Sequence, residues 1–366
     1  MKKSCIKNKE WYIIYKERQS CSTEEILMII EIRAKNCFAF DEQISFSMKA
    51  DMRNRKFASN VHKENNFNIL KTAGIYGPNN AGKTCLIKCI KAIRQILLNK
   101  KPGLMTNIFT DSSICELGVT FLAFGKKFSY DFKYDAAKKE FVYENFSEIL
   151  KDQYGNEKEV SWLVKDSIQE RYFCADIDAI QMMPLMAKNN LLCYLIDTSK
   201  FEHLEEMKKI IIAFAEKIDI INMNNIPMEH TIKLMKNRDQ LQQKIVDFIK
   251  NADLYMDNYE YVDMDQIKLR AEDEGEKPDE KVLELPETIM DQIRLVSTYK
   301  GVHVPSMLFD STGTKKIAAL AGYVIEGLEQ GRILVIDELD SSIHFKLTRA
   351  IVAMFNNELN VNAQMI

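Results

Sequence analysis

Over residues 28–48, MIIEIRAKNCFAFDEQISFSM, apolar and polar positions alternate, which predicts two strands around a turn at Asp41-Glu42. NFNILKTAGIYG (66–77) reads as a strand running into a Gly-rich turn. After that turn Leu86, Ile90, Ile93 and Leu97 recur at helical spacing. The pattern becomes strand-like again from 115 to 147, where CELGVTFLAFGKKFSYDFKYD and FVYENF are separated by Gly-Lys-Lys and Asp-Ala-Ala-Lys-Lys turns. Two helices are predicted over 203–251. Leu204, Met207, Ile211, Phe214 and Ile218 line the first; Leu241, Ile245 and Phe248 line the second, after Pro227. Neither lasts the several heptads of a coiled-coil arm. Ile317, Leu320, Val324 and Leu328 form a further stripe that Gly331 closes, and RILVIDELD (332–340) reads as a buried parallel strand ending in acids. EDEGEKPDE (272–280) reads as a solvated loop between strands.

Composition narrows the class. The chain has 366 residues, 46% apolar and 28% charged, with 13 Gly and 7 Pro, as in a large globular domain or a pair of domains. No apolar run approaches the length of a membrane span. Residues 1–27 lack a signal core and read either as a frayed extension or as an over-long start before Met28. Eight scattered cysteines without a CxxC or Cys/His spacing fit free thiols in a reducing cytoplasm, and five histidines without a ligand cluster predict no structural metal. The net charge of −3 gives no chain-wide nucleic-acid footprint.

The chemistry lies in two segments. GPNNAGKT (77–84) is Gly-x-x-x-x-Gly-Lys-Thr between a predicted strand and an amphipathic helix, the context a phosphate-cradling loop requires. Gly77, Pro78, Asn79, Asn80, Ala81 and Gly82 would wrap the phosphates, with backbone amides and the helix N-terminus supplying positive field. Lys83 would reach the β/γ-phosphates of a nucleotide, Thr84 and Asp337 would hold Mg²⁺, and Glu338 would polarise the attacking water. Thr84 and Asp337 stand 253 positions apart, far more than a compact phosphate-loop domain needs. Ser311-Thr312-Gly313-Thr314 opens the helix just before the acidic strand, with Ser311 or Thr312 placed to cap it.

This order resembles the ABC-type ATPases, and in particular the bacterial abortive-infection or OLD-type ATP-binding proteins, distant relatives of RecF and the SMC heads. KNCFAF (35–40), GPNNAGKT, DSTGTKK (310–316) and VIDELDSSIH (335–344) carry the resemblance, which extends over 28–366. It implies an α/β P-loop NTPase fold: an ABC-type head with an antiparallel β layer and a helical lobe at 200–256. It also implies an ATP-dependent homodimer in which Ser311 and Gly313 act in trans on the partner's nucleotide. Asp340 would couple the two sites, and His344 matches a common family histidine, although a surface histidine at a helix start has the same appearance. In the family a switch histidine follows a segment like NELNVNAQMI; its absence here reads as a C-terminally incomplete chain. No glutamine-bearing lid is placed within 105–130.

Other features have plain structural readings. Cys85 and Cys89 sit one helical turn apart, as packing residues do. Arg53, Arg55 and Lys56 beside Phe57 read as a solvated loop, and Tyr255, Tyr259 and Tyr261 as a strand with an aromatic face. By resemblance the function is a phage-defence switch controlling a separate nuclease or toxin. Three other readings stay open. They are a RecF-like DNA-repair ATPase with DNA-stimulated turnover, a nucleotide-gated scaffold that does not turn over, and, least favoured by the motif spacing, a transporter ATPase subunit.

Overall fold

Alternating strands joined by tight turns become a seven-stranded sheet. The structure is a computed structural model that describes residues 26–366, except 52, 54–55, 65–66, 153–154, 238–239, 253–254, 263–285 and 342. Residues 1–25, Arg55 and the acidic segment 272–280 therefore lie outside the described residues. Strands β1 (Leu27–Lys35) and β2 (Ile44–Ser47) form the expected antiparallel pair, and β1 begins inside the segment read as an extension. Strands β3 (Val61–Glu64) and β4 (Phe67–Leu70) make a separate pair before helix α1 (Lys83–Leu97). Then follow β5 (Ile114–Ala123), β6 (Lys126–Asp135), β7 (Glu140–Lys151), β8 (Glu157–Asp166) and β9 (Arg171–Cys174). The sheet order is β2-β1-β5-β6-β7-β8-β9, antiparallel at every step. Phe124 and Gly125, with φ of 51° and 73°, turn β5 into β6 through the mirror-image geometry that matches strand twist.

Helix α2 (Glu202–Glu216) leads into β10 (Ile218–Asn222). Beyond these come α3 (Glu229–Lys236), α4 (Gln240–Ala252), β11 (Asn258–Tyr261), β12 (Leu295–Tyr299) and β13 (Val302–Pro305). Helix α5 (Thr312–Gln330), β14 (Ile333–Asp337), α6 (Phe345–Phe355) and β15 (Gln364–Met365) complete the order. Two compact units divide the chain. One, the β-layer unit, takes the described part of 18–220 with Gly331–Val335 and Phe355–Ile366; the other, the helical unit, takes Ile221–Gln330 and Ile336–Met354.

In the β-layer unit, α1 buries Cys89, Ile90, Ile93 and Leu97, and Phe121 of β5 stacks on Phe214 of α2 at 4.1 Å. β14 lies between β10 and β15, parallel to β15. The fully buried Gln364 side chain bonds the Ile29 N–H and the Ile29 and Leu70 carbonyls, so the last strand has no orphan amide in the core.

The structure corrects three expectations. The ladder before the phosphate loop stops at Leu70, and beyond it Thr72 makes an isolated parallel bridge to Met365. Ile218 belongs to β10 rather than to the helical stripe, and the segment after Pro227 forms two helices, not one. Helix α2 lies in the β-layer unit, and α3 and α4 lie in the helical unit. There α3 docks on α5 where Gly322 leaves room for Thr231, whose hydroxyl donates to the Ala319 carbonyl at 2.8 Å.

Candidate nucleotide site

In the β-layer unit, residues 77–82 form a turn and Lys83 opens α1. Asn80 and Gly82 take positive φ, 63° and 88°. A Cβ on Gly82 would meet the Phe40 ring at 3.0 Å, so glycine serves both conformation and approach. Phe40 comes from the KNCFAF turn, which thereby packs on the phosphate loop. The Lys83 ammonium donates to the Gly77 and Pro78 carbonyls, both at 2.8 Å. The loop thus curls around a cation borne on the first turn of a fifteen-residue helix, a charge arrangement that suits anionic oxygens. Thr84 follows on the same turn, and these residues fit a nucleoside triphosphate.

In the helical unit Asp337 ends β14 and Glu338 follows it in the turn. Asp337 is half-buried and Glu338 exposed, and Glu338 has φ 59°, a left-handed conformation uncommon for a long side chain. Ser341 closes the turn by donating its N–H to the Glu338 carbonyl at 2.8 Å. Two asparagines face the acids from the end of β10. The Asn222 amide reaches Asp337 Oδ2 at 3.5 Å, and the Asn224 amide donates to Glu338 Oε2. Asn224 Oδ1 in turn accepts from the Ser341 hydroxyl at 3.0 Å. Sequence reading missed both asparagines. N-M-N-N after a strand looks like any loop, and only the adjacency of β10 and β14 supplies the partners.

Ser311 caps α5: its hydroxyl accepts from the Thr314 N–H at 3.1 Å. Asp310, buried beneath, accepts from the Ser297, Ser306 and Tyr299 hydroxyls at 2.7, 2.6 and 2.9 Å, so three donors fix the start of DSTGTKK. Gly313 lies in the first turn of α5. Thr312, Lys315 and Lys316 share the lining of a cavity of about 450 Å³ with Asn224 and Ser306. His344 stands at the start of α6, where its Nδ1 accepts from the Lys346 N–H at 3.2 Å. The phosphate loop lies in the β-layer unit, and Ser311, Gly313, Asp337 and Glu338 in the helical unit.

A phosphate loop at a helix start and a buried strand ending in Asp-Glu define the class, an α/β P-loop NTPase fold with a large antiparallel sheet. Residues 215–366 match the family model described as "AAA domain, putative AbiEii toxin, Type IV TA system". Among solved structures, the chain is similar to the SMC head domain from Thermotoga maritima at 12% identity and a TM-score of 0.41, over 92% of this chain and 87% of that one. No curated protein matches. Among the described residues no helix is long and apolar enough to cross a membrane.

Proposed function

We propose that the protein is an ATP-binding, ATP-hydrolysing switch of ABC-like type. Gly77, Pro78, Asn79, Asn80, Ala81, Gly82, Lys83 and Thr84 hold the nucleotide phosphates, and Thr84 with Asp337 holds Mg²⁺, which when bound neutralises charge developing on the phosphates. Glu338 accepts a proton from the attacking water. Ser311 and Gly313 of one protomer complete the site of its partner, so ATP joins two chains and hydrolysis releases them. The observation that carries this reading is the Asp337-Glu338 pair at the end of a buried strand, with Glu338 in a left-handed conformation and its carboxylate engaged. The match to a model described as a putative toxin of a toxin–antitoxin system supports control of, or pairing with, an effector in bacterial abortive-infection defence.

The test is the solution mass of Glu338→Gln protein, by light scattering, with and without Mg-ATP. A doubling in ATP that Ser311→Arg abolishes is expected. ATP binding without a change of mass would overturn the dimeric switch.

A further inference from the structure

We propose that Asn224 is the positioning residue for Glu338, setting which carboxylate oxygen faces water; the inference rests on the hydrolytic reading above. Glu338 is held from two sides. Its backbone is turned by φ 59° and closed by the Ser341 N–H at 2.8 Å, and its Oε2 accepts from the Asn224 amide. An amide donor suits this task better than lysine or arginine. It occupies one oxygen without adding a charge that would make the carboxylate a weaker base, and it leaves Oε1 free to accept from water.

The orientation of the amide is itself determined. Asn224 Oδ1 accepts from the Ser341 hydroxyl at 3.0 Å, and the reversed amide would set an oxygen against the carboxylate. The backbone of Asn224 is fixed as well: its N–H donates to Asn222 Oδ1 at 2.9 Å in the one-turn helix Met223–Asn225, anchored by fully buried Met223. Ser341, Asn224 and Glu338 thus form a short relay in which a hydroxyl fixes an amide and the amide fixes a carboxylate. Asn224 also lines the cavity that Thr312 and Lys316 border, so a change at α5 has a route to the relay.

The experiment is steady-state ATP turnover by the full chain and by Asn224→Ala, Ser341→Ala, Glu338→Gln and the Asn224→Ala/Glu338→Gln double variant, with melting curves for each. Asn224→Ala is expected to lose about ten- to a hundredfold in kcat, because a slightly misplaced base is costly, with KM for ATP changed less than about twofold. Ser341→Ala should lose less. The double variant should turn over no more slowly than Glu338→Gln, since the relay has no function without its carboxylate. Wild-type kcat in both Asn224→Ala and Ser341→Ala overturns this inference and leaves the role of Glu338 intact. A double variant clearly slower than Glu338→Gln also overturns it, by showing that Asn224 acts elsewhere. If Glu338→Gln turns over like the parent, or the parent does not turn over, the hydrolytic reading falls and the relay with it.

Discussion

Two glutamates show how differently one residue type is used in this chain. Glu144, on β7, is fully buried; it accepts from the Tyr130 hydroxyl at 3.2 Å and the Leu192 N–H at 3.1 Å, and it faces buried Lys165 at 3.5 Å. Burial, only partly offset by Lys165, pushes its carboxyl above the ordinary range. Glu338 is exposed, in a backbone conformation that favours glycine, and the Asn224 side-chain amide holds its carboxylate. The first is embedded where donors from three elements meet, so removing it should damage the fold. The second stands where strain and openness persist, so removing it should damage chemistry alone. On the proposed function, number of donors and access to water, not residue type, would separate structural from functional acids here.

The sharpest way to break the comparison is Glu338→Gln. Turnover should fall by about a hundred- to ten-thousandfold while the melting temperature stays at the parental value, and a large drop in melting temperature would make Glu338 structural after all. Next comes Glu144→Ala. It deprives Lys165, Tyr130 and Leu192 of their shared acceptor and should cost about 3–5 kcal/mol in urea unfolding. A cost under about 1 kcal/mol would show that the buried cluster relaxes.

A smaller effect lies in pH. The folded value of Glu144 is raised above the unfolded one, so the folded chain holds this proton more tightly. Its contribution to stability is fully present below about pH 4.3, the unfolded value, and is lost as pH rises through the folded value. The stability of the parent minus that of Glu144→Gln should therefore decline with rising pH, and an increase would reverse the assignment. The least effect concerns thiols. Cys115 draws the buried Cys37 thiol down, but the bond to Cys89 and burial outweigh this and hold it at about 12. Half-exposed Cys85 should therefore be alkylated far faster than Cys37 at pH 8, as peptide mass mapping will show, and faster without Mg-ATP than with it.

The local elements of the candidate nucleotide site were legible in the chain itself. The phosphate loop, the acidic strand and the Ser311 cap are local: each depends on residues within one loop, strand or turn, where spacing and conformation are coupled directly. The β1–β2, β5–β6 and β6–β7 hairpins were legible for the same reason, whereas β8 and β9 were not foreseen. Ile218 was misread because an apolar residue just past a helix end continues the helical stripe by chance, and only pairing beside β14 makes it a strand. Asn222, Asn224 and the anchoring of Asp310 were not legible. Asn224 and Glu338 are 114 positions apart, and of the three hydroxyls on Asp310 two come from β12 and one from the short helix Ser306–Phe309.

By itself, then, the sequence determined what chemistry the chain carries: a loop shaped for phosphate, two adjacent carboxylates at a strand end, and a capped small-residue helix start. These follow from short-range sterics and hydrogen bonding that hold wherever the segments fold. Only the tertiary structure decided which acid is a buried strut and which is open to water, and which asparagine holds the open one. Burial and hydrogen-bond partnership are properties of neighbours, and sheet order sets the neighbours of β14.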